Sequence, residues 1–220
     1  MTRKEAIAVA AAELFAEKGF NETTTAEVAE RARVAQGTLF YHFKTKGNIL
    51  LEVFESIMAR YQAGMEAAVN DADSGLSAVE ALLRFQFAFV EKNRREFLVV
   101  LRDFPSYLAK SDSPQKAVVQ LRIKGVVSVL RSALERGRRD GTIRGDLPVE
   151  ATAHILRGLV YGLIRHKLLG FVAFPPLNDE AVDFCRHALR APASELSADS
   201  HQQKRHASGD ETNQPPQKRA

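Results

Sequence analysis

The chain has 220 residues, 45% hydrophobic and 26% charged, with a formal net charge of +4. That length suffices for a small head plus one helical body with its own core, while so mild a charge, with both signs interspersed, favours polyanionic partners only weakly. A single cysteine, Cys185, excludes an intramolecular disulfide and a cysteine-rich metal site, and no stretch has the apolar length of a membrane span or a signal core, so a cytoplasmic protein without a membrane partner is expected.

Helical periodicity runs through most of the chain, and the expected fold class is all-α. The first helix is predicted over Arg3 to Lys18, with Ile7, Ala11, Leu14 and Phe15 on one face and Gly19 as its stop. Thr24 followed by Glu27 is a capping-box start, so a short helix begins near Thr25 with Val28, Ala29 and Ala32 as a small apolar face. The next segment, Gln36 to Phe43, turns Leu39 and Phe43 inward and leaves Gln36, Thr38, Tyr41 and His42 pointing elsewhere. Two short helices and a tight turn have the layout of a DNA-reading helix-turn-helix. Gln36 can pair with an adenine edge, Gly37 permits close backbone approach, and Thr38 can bond a base or a phosphate. Tyr41 and His42 either reach the flanking DNA or pack where head meets body. Between Arg31 and Leu51 the chain carries Arg31, Arg33, Lys44 and Lys46 and no Asp or Glu, the bias that phosphate contacts need.

A longer helix is predicted from about Thr45 through Leu50, Val53, Phe54, Ile57 and Tyr61, linking head to body. The turn residues N-D-A-D-S-G at 70–75 mark a loop. Residues 76–103 carry Val79, Leu82, Leu83, Phe87 and Val90 as a stripe, with Phe85 and Phe89 on a neighbouring face, a break at Asn93 to Arg95, and apolar spacing that continues to Pro105. Pro114 opens the next helix, which Gly137 and Gly141 end. Residues 148–170 form the most apolar helix of the body, and a last helix spans 179–190. Residues 191–220 have almost no large apolar group, so a disordered tail is expected.

Residues 7–51 resemble the N-terminal domain of tetracycline-repressor-like (TetR family) transcriptional regulators. The resemblance rests on an A-x-x-L-F-x-x-x-G-F opening at Ala11, Leu14, Phe15, Gly19 and Phe20, then T-T-x-x-V-A, then G-T-L-F-Y-H-F-K-T-K. It implies a three-helix DNA-binding head (1–46), a helical ligand-binding and dimerisation body (47–190) before the tail (191–220), and a homodimer released from its double-stranded operator by a small molecule. By position it assigns Thr25, Gln36, Gly37, Thr38, Tyr41, His42 and Lys46 to the DNA face, with Lys46 on a phosphate. The chain departs from the family pattern in three places. Arg33 stands in the turn where Gly is usual, at a strain of about 1 kcal/mol if φ is positive, which a phosphate contact by Arg33 would offset. Ala35 replaces the usual capping Ser, and Phe40 the usual Tyr.

The implied ligand cavity would draw its lining from Leu82, Phe85, Gln86, Phe89, Leu101, Phe104, Arg122, Val126 and Tyr161. The same phenylalanines also suit plain core. Their number favours an apolar inducer, such as a fatty acyl-CoA or a lipophilic compound. Ile155, Gly158, Leu159, Gly162 and Leu163, with Phe184 and Ala188, are the expected dimer face, the two glycines allowing close helix approach. His154 and His166 read as structural, and no cofactor or metal is expected. An all-helical enzyme or adaptor with a regulator-like N-terminus is the alternative, but no catalytic motif supports it.

Overall fold

The computed structural model describes the backbone of residues 1–109, 115–170 and 175–192, and their side chains except those of residues 104–109 and 115. Among the described residues there are nine helices joined by loops, with one isolated antiparallel bridge between Ile143 and Arg190. None of these helices is long and apolar enough to cross a membrane.

The head is α1 (Arg3–Lys18), α2 (Thr25–Arg31) and α3 (Gln36–His42). Seven-residue helices are too short to persist alone, so their ends and their packing must hold them. Thr2 and Glu5 form a capping box at the start of α1, and Thr24 and Glu27 form one at the start of α2. The buried Thr23 hydroxyl donates to the Gly19 carbonyl at 2.8 Å, closing the α1–α2 turn. Arg31 pairs with Glu13 and Glu17, and Lys18 with Glu27, fastening α2 to α1 across the surface. Ile7, Phe15, Val28 and Leu39 fill the space between the three helices.

Thr45 caps α4 (Lys46–Asn70) by accepting from the Asn48 N–H at 3.1 Å. This helix packs on α1 and also on the body helices α5 (Gly75–Lys92), α6 (Arg94–Ala109) and α7 (Gln115–Arg139). Then follow α8 (Val149–Leu169), stopped by a left-handed Gly170, and α9 (Asn178–Leu189), which lies against α5. One continuous apolar core extends from the head into the body.

Two expected helix ends differ. Gly137 lies inside α7, which runs to Arg139; a side chain on Gly75 would fall 1.9 Å from the Gly137 backbone nitrogen, so Gly75 lets α5 approach α7 closely, while a side chain on Gly137 would strike Ile143. Pro105 does not end α6, whose backbone continues to Ala109. A break at Asn93 is present, reduced to one capping residue between α5 and α6. Pro114 and the expected tail beyond residue 192 lie outside the described residues.

Candidate nucleic-acid interface and ligand cavity

The turn between α2 and α3 closes with two backbone bonds, Val34 N–H to the Ala29 carbonyl and Arg33 N–H to the Glu30 carbonyl, each 3.0 Å. This pairing is a Schellman motif, whose C′ residue must be left-handed. That residue is Arg33, with φ of 54°, the only non-glycine residue with positive φ among those described. The expected strain is therefore present. Ala35 caps α3 without a side-chain bond, as its lack of a hydroxyl requires.

Leu39 and Phe43 are buried, and α3 presents the opposite face to solvent. Gln36, Gly37 and Tyr41 are exposed, Tyr41 to 77%, while Thr25, Thr38 and His42 are half-buried beside them. The Tyr41 and His42 rings meet edge to face at 5.2 Å, so both stand at the surface of α3 rather than at the body junction. Gly37, Thr38, Tyr41 and His42 line one shallow concavity together with Arg3. The place of Arg3 beside α3 comes from the packing of α1 and belongs to no sequence motif. Arg33 and Lys44 are exposed, with no ion-pair partner among the described residues.

Lys46 is placed differently from its expected phosphate role. Its ammonium donates to the carbonyls of Phe20 at 2.8 Å, Asn21 at 3.1 Å and Thr23 at 2.8 Å, and stands over the Phe20 ring. An ammonium has three N–H donors, and these carbonyls take all of them. Lys46 is a clasp between the start of α4 and the α1–α2 turn.

In the body, α4, α5, α6, α7 and α8 surround a cavity of about 250 Å³. Four of the expected lining residues are there: Gln86, Leu101, Val126 and Tyr161. Phe54, Met58 and Tyr61 from α4 and Phe97 and Val100 from α6 complete much of the wall, joined by Val119 and Ile123 from α7. Helix α8 contributes the i, i+3, i+4, i+7 stripe Arg157, Val160, Tyr161 and Ile164. Periodicity marks these positions as apolar or mixed, but only tertiary packing shows which of them face empty space.

The other expected lining residues lie elsewhere. Leu82 is fully buried core. Phe85 packs over Gly64 of α4, where a side chain would come within 2.1 Å of its ring. Phe89 joins an aromatic cluster with Tyr61 and Phe97, at ring distances of 5.4 and 6.0 Å. Arg122 stands 3.9 Å from Glu55, bridging α7 to α4. The Phe104 side chain lies outside the described residues.

The polar groups of the cavity are few. The Tyr61 hydroxyl donates to Gln86 Oε1 at 2.6 Å, and Gln86 Nε2 donates to the Leu82 carbonyl at 3.1 Å. Burial pushes the Tyr61 hydroxyl far above the usual phenol range, while the positive charge of Arg157 acts the other way.

On the far side of α8, Ile155 is 67% exposed, as is Phe184 on α9. Gly158 and Gly162 face open space, Ala188 is exposed, and Leu159 and Leu163 are half-buried. Leu156, Val160 and Ile164 are buried. Helix α8 thus carries an inner buried apolar stripe and an outer face on which Ile155, Gly158 and Gly162 are open while Leu159 and Leu163 are partly covered by the core.

A capped two-helix reading motif on a helical body that encloses a cavity defines a helix-turn-helix, DNA-binding transcription regulator. The profile described as "Bacterial regulatory proteins, tetR family" matches residues 7–53. The transcriptional repressor KstR2 of Mycolicibacterium smegmatis is 27% identical over 164 residues, 74% of this chain and 78% of the relative. The fatty acid degradation regulator FadR of Bacillus halodurans shares the fold, with a TM-score of 0.72 at 19% identity over 84% of this chain and 99% of that one. FadR of Bacillus subtilis, solved in complex with stearoyl-CoA, has a TM-score of 0.66 at 22% identity, covering 81% of this chain and 95% of its own. The head, over residues 7–53, is that of the TetR family of bacterial regulators, and over most of its length the chain is similar to regulators of this kind. Its relatives of this kind are regulators rather than enzymes.

Proposed function

We propose that this protein is a homodimeric, cytoplasmic repressor that holds a palindromic operator and releases it when a small, largely apolar molecule enters the body. The observation that carries the reading is the position of α4. Its first residue, Lys46, clasps the reading head, and Phe54, Met58 and Tyr61 along the same helix wall the cavity. A molecule that spreads the cavity must push the element on which the head is mounted. A second link runs through α6, where Arg102 donates to the Phe15 carbonyl of α1 while neighbouring Val100 and Leu101 line the cavity.

The head, residues 1–46 with its core completed by the first turns of α4, reads DNA through Gln36, Gly37, Thr38, Tyr41 and His42. Thr25, Arg33 and Arg3 hold phosphates. The outer face of α8 and α9, with Ile155, Gly158, Gly162, Phe184 and Ala188, meets its copy across a two-fold axis, which sets two α3 helices about one DNA turn apart. Exposed Ile155 and Phe184 support this, since apolar side chains so placed gain most from being covered. A fatty acyl chain suits the cavity lining, and one relative carries stearoyl-CoA.

Inducer and operator must weaken each other by the same factor, because the coupling is a single free energy. Selection of bound duplexes from a random DNA pool, with and without fatty acyl-CoA, tests the reading. A palindromic consensus whose enrichment falls with the ligand is expected. Failure to enrich any sequence at low salt would overturn it.

A further inference from the structure

Arg157 is the one charged residue among the described residues that line the cavity. It is half-buried, its guanidinium lies 5.9 Å from the centre of the Tyr161 ring, and no carboxylate of the described residues comes within ion-pair distance. The neighbouring arginines differ. Arg122 faces Glu55, Arg131 faces Glu135 and Glu150, and Arg102 is held by Asp103. A cation partly removed from water without a counter-ion is unfavourable, and a guanidinium presents a planar fork that matches a carboxylate or phosphate. Deeper in, the Tyr61 hydroxyl already donates its hydrogen bond to Gln86 Oε1, so it is not a donor to an anion there. Charge recognition is confined to one end of an otherwise apolar space.

Building on the ligand-release reading above, we infer that Arg157 selects an anionic amphiphile, meeting its ionised head group while the apolar chain fills the cavity. Tyr161, one turn along α8, steadies the guanidinium. The anion is either the carboxylate of a free fatty acid or a phosphate of an acyl-CoA, since both offer paired oxygens to the same fork. Arg157 also lies beside Ile155 and Gly158 of the outer face, so an anion drawn to it acts on the helix proposed to join the two subunits.

Binding of decanoate, decanoyl-CoA and decanol to the full-length protein, measured by calorimetry, tests the inference. The better anionic probe should bind about tenfold or more tightly than decanol, as a charge-assisted hydrogen bond allows. Arg157→Gln should remove that advantage and leave decanol unchanged, and Arg157→Lys should restore part of it. Tighter binding of decanoate identifies the carboxylate as the recognised group, and tighter binding of decanoyl-CoA identifies the phosphates. Equal affinity for charged and neutral probes, or equal weakening of all three by Arg157→Gln, overturns the inference while leaving the cavity a ligand site. Val126→Phe, which fills the cavity, separates the two failures. If decanol binding survives it, or no probe binds the parent protein, the cavity reading itself is wrong and the inference falls with it.

Discussion

The turns of the reading head are closed by residues close together in sequence, whereas the cavity wall takes between one and four side chains from each of five helices, between Phe54 and Ile164. In the head, Thr24 bonds to Glu27, Arg33 to Glu30 and Thr23 to Gly19, so each turn is closed by its own neighbours. In the body, Tyr61 meets Gln86 and Phe85 covers Gly64, partners that only assembly of the whole bundle brings together. Locally closed structure can keep its DNA-facing residues free of structural duty. In the body each residue near the cavity is at once wall and core, so a change there alters stability and ligand response together.

The sharpest break of this comparison is on α3. Gln36 and Tyr41 are exposed and hold nothing in the fold, so Gln36→Ala with Tyr41→Ala should leave the melting temperature near that of the parent. Operator affinity should fall by roughly 1–3 kcal/mol for each side chain that no longer reaches a base. Fluorescence anisotropy with the selected duplex measures the fall, and calorimetry with an inducer should give parental affinity. A drop in both affinities would mean that head and body are not separable in this way.

Next in size is Lys46→Ala. The clasp reading predicts a less stable head, by about 1–2 kcal/mol for carbonyls deprived of their donor, with the salt dependence of DNA binding preserved. A phosphate contact predicts the reverse, with stability kept and the slope of log affinity against log salt reduced by about 0.9. Thermal melts and binding at several salt concentrations separate the two.

Arg33 and Lys46 mark how far local sequence chemistry reaches. The bounds of α1, the start of α2 and the inward turn of Leu39 follow from capping chemistry and spacing, which act over a few residues. The positive φ at Arg33 was readable because a turn of this kind needs one left-handed residue. The clasp by Lys46 is not legible, because its partners, Phe20 to Thr23, lie more than twenty positions back and offer only backbone carbonyls, which carry no sequence signature. The cavity was half legible for a related reason. Helical spacing separates buried from exposed positions, but Leu82 and Gln86, one turn apart on α5, are both buried and only Gln86 borders the space. Arg157 belongs to no motif, and only tertiary packing brings it to the cavity.

Arg33→Gly should act in opposite directions on the two properties. Relief of the left-handed strain stabilises the head by about 1 kcal/mol, while removal of an exposed cation lowers DNA affinity and its salt slope. An unchanged salt slope would remove Arg33 from the phosphate contacts and leave it a turn residue only.

The smallest effect concerns the surface clasp between α1 and α2. The Glu27 carboxylate is held down to about 2 from its ordinary 4.5, first by the Lys18 ammonium and then by the Thr24 backbone N–H and hydroxyl. Because the folded-state value is depressed, the stabilisation is fully present above 4.5 and is lost as pH falls towards 2. Glu27→Gln keeps an acceptor for the Thr24 N–H, as capping boxes allow, but cannot titrate or pair with Lys18. Both side chains are partly solvated, so the gain is small and weakens in salt. The parent should therefore melt slightly above Glu27→Gln at neutral pH and low salt, and circular dichroism melts should show the gap closing below pH 4.5. A gap that persists unchanged into acid would mean that Glu27 stabilises the head through its shape and not its charge, and that the head, like the cavity wall, depends chiefly on packing.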